Sequence, residues 1–415
     1  MSGIIQQELA SRGVAQVLVF LRDAGPQTAA VAAAEQTTAT SRLSKHFVES
    51  ATSQAGELRA TRLPRARGAG ASEVRIYPRL GVMLGTATRE GIAALRADER
   101  VAEVAGAPSI SLIRPTAKAS AKLAHTTTWG LDALNVPKLW KQGLDGSGVV
   151  VGHLDTGVDG KHPALREAIQ SFAEFDELGR EVTPAPEPFD SDDHGTHTAA
   201  TIAARPVQGR HVGVAPAAKL ASAVVIEGGQ VVARVLGGME WSLGQGARVL
   251  NMSLGFRGWW EDFVVLTRIL RSRGVLPVFA VGNEGPGTSR SPGNYAEAVS
   301  VGAHDESWRV ADFSSSQRFQ RKRKRDALVP DLVAPGVDVV SAAPGGGYQS
   351  MNGSSMATPH VAGLAALLMQ AAPKATVAQI ERAILRSCRR RASMPEARSN
   401  RGVPDAVRAL AELGV

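Results

Sequence analysis

Three short segments carry residue types that can do chemistry together. In HLDTGVD, His153 to Asp159, Asp155 follows an apolar run and precedes a glycine turn. A carboxylate placed there is held at a strand end, where it can orient a base, cap a loop or bind a metal. In DSDDHGTHTAATIAA, Asp190 to Ala204, His194 heads a helical run whose Gly195, Thr196 and Ala199 permit close packing. It can act as a firmly seated general base; alternatively, with His197 three residues on and the acidic residues nearby, it can form part of a metal pair. In GSSMATPHVAGLAALL, Gly353 to Leu368, two serines open an apolar helix. Helix N-termini expose unpaired N–H groups, so a serine there can be a nucleophile whose oxyanion is held partly by its own N–H, or simply a helix cap.

The elements that must position these residues follow from the apolar patterning. Val149–Leu154, Lys219–Ile226, Arg248–Ser253, Val275–Val281 and Ala298–Val301 are apolar runs that alternate with helical segments. The alternation predicts a parallel sheet with helices on both faces, with the site at the carboxyl ends of the strands. Ahead of it, Ala15–Leu21 reads as a strand that ends in a turn at Asp23–Pro26. A long helix is predicted from Thr28 to about Leu58, broken by the LPRARGAGAS stretch. Val74–Leu84 reads as two short strands, Thr88 as the cap of a helix presenting Ile92 and Leu95, and Val101–Ile113 as a return to strand. The order β-α-β-β-α-β is the split βαβ, ferredoxin-like pattern of a small α+β domain. Thr116–Thr128, poor in large apolar residues, reads as an exposed linker.

Composition narrows the classes further. The 415 residues include 47 Lys+Arg against 39 Asp+Glu, 44% apolar residues and one cysteine, Cys388, which excludes collagen-like, disulfide-scaffold and disordered chains. The formal charge of +8 is partly local, because six of the eight residues from Arg318 to Arg325 are basic. With no interleaved aromatic motif, that run reads as a solvated loop, and nucleic-acid binding is not expected. MSGIIQQELASRG lacks the pattern of a secretory leader and no long apolar stretch follows, so a soluble protein without membrane contact is expected, with the cytoplasm as the favoured location.

Asp155, His194 and Ser355 stand in the chain order of one known nucleophile–base–orienter arrangement. At DTGVD, HGTHTA and GSSMATPHVAG the chain resembles the subtilisin-like serine proteases, with supporting matches at NMSLG (Asn251–Gly255), VGNEG (Val281–Gly285), DLVAPG (Asp331–Gly336) and RGVPDA (Arg401–Ala406). The resemblance implies a subtilisin-like α/β fold over residues 124–415 and a serine endopeptidase working through an acyl-enzyme. It implies Ser355 as nucleophile, with Ser354 its neighbour, His194 as base, Asp155 as the group that fixes the imidazole, and Asn283 as oxyanion donor. Ser253, Leu254 and Gly255, with Ala280, Val281 and Gly282, match segments that line an extended polypeptide substrate.

Residues 1–115 resemble the family's propeptide, a folding aid and intramolecular inhibitor, with 116–123 as linker and self-processing expected near Leu123 and Ala124; a permanent N-terminal domain is the alternative. No cofactor for catalysis is implied. Many relatives bind calcium after the histidine helix, but Ala204–Gly213 offers neither carboxylate nor Asn, so calcium is not expected there. Arg290 falls near the primary specificity pocket, as a rim residue or as a selector of acidic or polar side chains. Two other readings remain: a metal-dependent hydrolase using Asp155, Asp193, His194 and His197, and a catalytically silent binding module, which an intact triad opposes.

Overall fold

The computed structural model describes residues 3–22, 40–48, 50–52, 58–60, 74–107, 109–226, 228–320 and 327–415. The expected turn at Asp23–Pro26, most of the expected helix from Thr28 to Leu58, the break that follows it, and residues 321–325 of the basic run lie outside them. Where that helix is described it runs over 40–44 only, and Ser50–Thr52 and Leu58–Ala60 pair as antiparallel strands instead. The chain divides into two compact units, Met1–Ser109 and Ile110–Val415.

The first unit begins with a helix the sequence patterning did not predict, α1 (Gly3–Arg12), whose Ile5 and Leu9, four residues apart, form its buried edge. Strand β1 (Val14–Leu21) follows, then β2 (Arg75–Tyr77) and β3 (Val82–Thr88), the helix α2 (Arg89–Ala97), and β4 (Val101–Gly106). The four strands form an antiparallel sheet in the order β2-β3-β1-β4. Thr88 ends β3 and caps α2, its hydroxyl accepting the Gly91 N–H at 3.1 Å. Ile92 and Leu95 of α2 are buried in one cluster with Val17, Val19, Met83 and Val104.

The second unit is built on a seven-stranded parallel sheet. Its early strands are β5 (Ser111–Leu112), β6 (Ala117–Ala121), β7 (Val150–Asp155) and β8 (Ile169–Glu174), followed by helix α3 (His194–Ala203) and β9 (Lys219–Val224). Then come α4 (Val231–Gly244), β10 (Val249–Met252), β11 (Leu254–Arg257), β12 (Leu276–Ala280), β13 (Arg290–Ser291), β14 (Val299–His304), β15 (Leu332–Pro335), β16 (Gly347–Asn352) and α5 (Ser354–Ala371). The large sheet runs in the order β8-β9-β7-β10-β12-β14-β15, every pair parallel. Alternation along β7 shows that both faces are covered: Gly152 and Leu154 meet Ser242 and Gly238 of α4, whereas His153 and Asp155 point to α3. The helices α3 and α5 pack against each other, and α5 lies across β10, β12 and β14.

Two segments differ from the expected layout. Ile110–Pro115 belongs to the second unit, because β5 adds to the edge of β11 in antiparallel register, Leu112 opposite Leu254 and Ser111 opposite Gly255. Within the expected linker, Ala117–Ala121 is a strand: β6 pairs with β16 from Ala117 opposite Asn352 to Ala121 opposite Tyr348. Its side chains are almost all exposed, so the strand exists through backbone pairing and leaves no apolar alternation to read.

Candidate active site

Asp155 is the last residue of β7 and is fully buried. One carboxylate oxygen, Oδ1, accepts the His194 Nδ1–H at 2.6 Å and the Thr156 N–H at 2.8 Å; the other, Oδ2, accepts the Thr198 hydroxyl at 3.2 Å. Burial alone would raise its pKa, but attraction to His194, that hydrogen bond and the Thr156 N–H outweigh burial and hold the carboxyl below its ordinary value. For His194 burial acts to lower the pKa, yet the Asp155 charge and hydrogen bond, with Asp190 and Asp192 nearby, leave it raised. The pair is thus an imidazole bound through Nδ1 to a carboxylate, with Nε2 buried and unpartnered among the described residues.

The seat of His194 is built by the start of α3. Thr156 Oγ1 accepts the Gly195 N–H at 2.9 Å and donates to Asp190 Oδ1 at 2.7 Å, while Asp190 Oδ2 accepts the Thr196 N–H at 2.6 Å. Two of the orphan donors of the helix are satisfied in this way, and the acidic group favours the positive end of the helix dipole. Gly195 is required by close approach: a Cβ there would lie 2.1 Å from the Gly157 carbonyl oxygen.

Ser355 lies in the first turn of α5, fully buried, after Gly353. Pro359, four residues on, has no N–H to donate to the Ser355 carbonyl. The Ser253 hydroxyl takes that free acceptor at 3.2 Å, which ties α5 to the end of β10. Asn283 is oriented by the same helix start: its Oδ1 accepts both the Ser354 N–H and the Ser354 hydroxyl at 2.8 Å, which turns its Nδ2 outward. Ser354 therefore has a definite task, holding the amide side chain, that sequence reading left unassigned.

Chain already lies across these groups. The Ile113 N–H donates to Ser253 O at 3.0 Å, the Ser355 hydroxyl donates to Ile113 O at 2.6 Å, and Asn283 Nδ2 donates to Arg114 O at 2.9 Å. With Ser111 and Leu112 paired to Gly255 and Leu254, the run from Ser111 to Arg114 is an added β-strand that brings one carbonyl to the serine. Ser253, Leu254 and Gly255 are thus brought to this strand. Gly282 donates its N–H to the Ser354 hydroxyl at 3.3 Å, and Val281 accepts the Arg290 N–H at 2.8 Å, so both support the site from behind. Ala280 is the buried end of β12.

Other expected residues are used differently. Leu123 packs in the main core and its carbonyl accepts from Arg210, so Ile113–Arg114, rather than Leu123–Ala124, is the bond lying on Ser355. His197 is directed to the Val339 carbonyl at 2.9 Å and Asp193 is paired with Lys118 at 2.8 Å, so the four residues of the metal reading do not converge. Among the described residues no cluster of three His, Cys, Asp or Glu side chains is placed to hold a metal ion. Arg290 is buried and forms an ion pair with Glu284, to which Arg257 also lies near at 3.7 Å. Its remaining guanidinium nitrogen donates to the Ser111 hydroxyl at 2.9 Å, so it touches the strand lying in the cleft.

Comparison with known proteins agrees with this geometry. Residues 146–405 match the profile of the Subtilase family. The chain is 39% identical over 275 residues to M-protease of Shouchella clausii (strain KSM-K16), which covers 66% of this chain and 67% of that protein. It is 40% identical over 259 residues to Subtilisin Savinase of Lederbergia lenta, covering 62% of this chain and 89% of that one. Among solved structures, fervidolysin from Fervidobacterium pennivorans, a keratinolytic enzyme related to subtilisin, superposes with a TM-score of 0.68 at 23% identity. That likeness, which concerns the fold, covers 96% of this chain and 61% of the fervidolysin chain.

Proposed function

The chain belongs to the subtilase family of serine endopeptidases, and from that premise we propose that Ser355, His194 and Asp155 hydrolyse peptide bonds as nucleophile, general base and orienting carboxylate. The Ser355 oxygen attacks the scissile carbonyl while His194 Nε2 takes its proton. Asp155 holds the imidazole tautomer and stabilises the imidazolium. The Ser355 N–H and Asn283 Nδ2 receive the oxyanion on Ile113, Asn283 giving up its present acceptor, the Arg114 carbonyl next along the chain. As the C–N bond breaks, His194 returns the proton to the leaving amine, and a water molecule then releases the acyl group by the same path. No cofactor is needed for these steps. The observation that carries the reading is the Ser355 hydroxyl at 2.6 Å from the Ile113 carbonyl, with the N–H of that same residue held by Ser253.

Extended polypeptides are the substrates this cleft fits, because its recognition is β-augmentation along Ser253–Gly255. The first unit runs directly into the occupying strand, which supports its role as an intramolecular inhibitor in a self-processed precursor. Ile113–Arg114 is then the bond cut. Two measurements test the reading. Ser355→Ala should abolish hydrolysis of an unfolded polypeptide while a chelator leaves the wild-type rate intact; a Ser355→Ala enzyme that still cuts and is stopped by chelation would overturn it. N-terminal sequencing of the matured wild type should begin at Arg114; a start at Ala124 would restore the other position, and active protein that keeps Met1 would make the first unit a permanent domain.

A further inference from the structure

His153 is a residue for which the reaction as described has no use. It sits in an interior strand of the sheet, fully buried, two residues before Asp155 and therefore on the same strand face. Parallel strands covered on both faces ordinarily carry aliphatic side chains, and an imidazole there is costly unless both nitrogens are satisfied. Both are: Nδ1 lies 2.9 Å from the Ser222 hydroxyl, on the neighbouring strand in register, and Nε2 lies 2.9 Å from Thr198 Oγ1 on α3. Thr198 Oγ1 in turn lies 3.2 Å from Asp155 Oδ2, and 3.2 Å from each of the His194 and Gly195 carbonyl oxygens.

Counting protons sets the direction of this chain. The threonine hydroxyl has one hydrogen, and three of its four neighbours are oxygens that can only accept. Were Nε2 an acceptor as well, that hydrogen would face four acceptors and Asp155 Oδ2 would compete for it with the imidazole. With Nε2 protonated, His153 donates to Thr198, Thr198 donates to Asp155, and Nδ1 receives the Ser222 hydroxyl. We infer that His153, acting through Thr198, is a positioning residue for Asp155: it fixes the outer oxygen of the carboxylate and leaves the inner one for His194. The inference rests on the peptidase reading and deepens it.

The charge state agrees with this arrangement. Burial pushes the His153 pKa down to about 4, so the ring is a neutral donor throughout the working range and does not compete with the His194 imidazolium for the Asp155 charge. The titratable and charged groups around His194 are Asp155 and His153 from β7, Asp190, Asp192 and Asp193 from the preceding loop, and His197 on its own helix. Arg114 and Lys118 pair with Asp192 and Asp193 from β6 and its approach.

The test compares Thr198→Val, His153→Leu, the double variant and His153→Gln in the full-length protein, with active sites counted by a serine-reactive fluorophosphonate. Loss of a hydrogen bond to a carboxylate predicts that kcat per labelled site falls about tenfold in Thr198→Val and His153→Leu with KM nearly steady. A carboxylate that loses a donor becomes more basic and holds the imidazolium proton more tightly. The acid limb of the pH profile should therefore move up by roughly half a pH unit. The double variant should be no worse than the weaker single one, and His153→Gln, which keeps an N–H donor, should recover most of the rate. Misfolding would lower the labelled fraction without moving the acid limb. Unchanged kcat and an unmoved acid limb in both single variants, or fully additive losses in the double one, would overturn the inference. A wild type that takes no label and cuts nothing would overturn the peptidase reading and this inference with it.

Discussion

The balance of forces on His194 sets the sign of its pH dependence. General-base catalysis needs the neutral ring, and Asp155 raises the His194 pKa above 6.5 despite burial. The kcat/KM profile should therefore have its acid half-point above pH 6.5, and a half-point at or below 6.5 would show that Asp155 does not govern the base. The same shift makes the His194–Asp155 attraction a contribution to stability that is complete below the unfolded-state value and lost as pH rises through the folded one. Asn283→Leu removes the amide donor aimed into the cleft. In subtilisin itself the corresponding loss is about 100- to 1000-fold in kcat, and a similar fall is expected here, with KM little affected. Arg290 makes a prediction about substrate choice. Two arginines lie close to one carboxylate, Glu284, and one of them reaches the Ser111 hydroxyl. In a peptide series, a Ser or Asp two residues before the cleaved residue should be favoured over Lys by about fivefold in kcat/KM, the equivalent of roughly 1 kcal/mol. Arg290→Met paired with Glu284→Gln should level the series; an equal series in the wild type would refute it.

At the scale of elements, the site depends on how closely α3 approaches the loop after β7. Gly195 has no room for a side chain against the Gly157 carbonyl, so Gly195→Ala must push the helix outward and carry His194 with it. Overpacking of this kind costs about 1–3 kcal/mol, and the variant should melt several degrees lower and lose most of its kcat. Wild-type melting and activity would show that the loop yields instead. The sheet edge at β11 is the other decisive element. It binds Ser111–Leu112 through backbone groups, so the sequence, read as one strand from Val101 to Ile113, did not show that this stretch is a separate strand of the second unit. Ala117–Ala121 left little trace because it exposes nearly all its side chains while pairing with Gly347–Asn352. The edge strands Ile169–Glu174 and Leu332–Pro335 escaped notice for a related reason, since neither is the long apolar run that marks the interior strands.

For the whole molecule, the interior of the sheet and the places of Asp155, His194 and Ser355, the proposed triad, were legible because each lies in a locally distinctive run: apolar strands Val150–Asp155, Val249–Met252 and Leu276–Ala280, and motifs at strand ends and helix starts. What was not legible depends on contacts between distant segments. Ser354 and Thr198 gained their roles only when α5 met Asn283 and α3 met β7. His153 stood in plain view inside HLDTGVD, and its signal was a titratable side chain in a strand that packing should have made aliphatic. The loop at Ala204–Gly213 shows another long-range device. Arg205 donates to the Ala203, Ala218 and Glu167 carbonyls and Arg210 to that of Leu123, so guanidinium groups tie together segments that a bound cation could otherwise organise. Chelation should leave the melting temperature unchanged, whereas Arg205→Ala should lower it; a fall on chelation would place a structural metal elsewhere in the fold. The most direct test of the central claim is peptide mapping after fluorophosphonate labelling of the wild type, Ser355→Ala and His194→Ala. One adduct is expected, on Ser355, absent from the Ser355→Ala protein and formed far more slowly in His194→Ala. A wild type labelled at another residue, or a Ser355→Ala protein labelled as readily as the wild type, would contradict it.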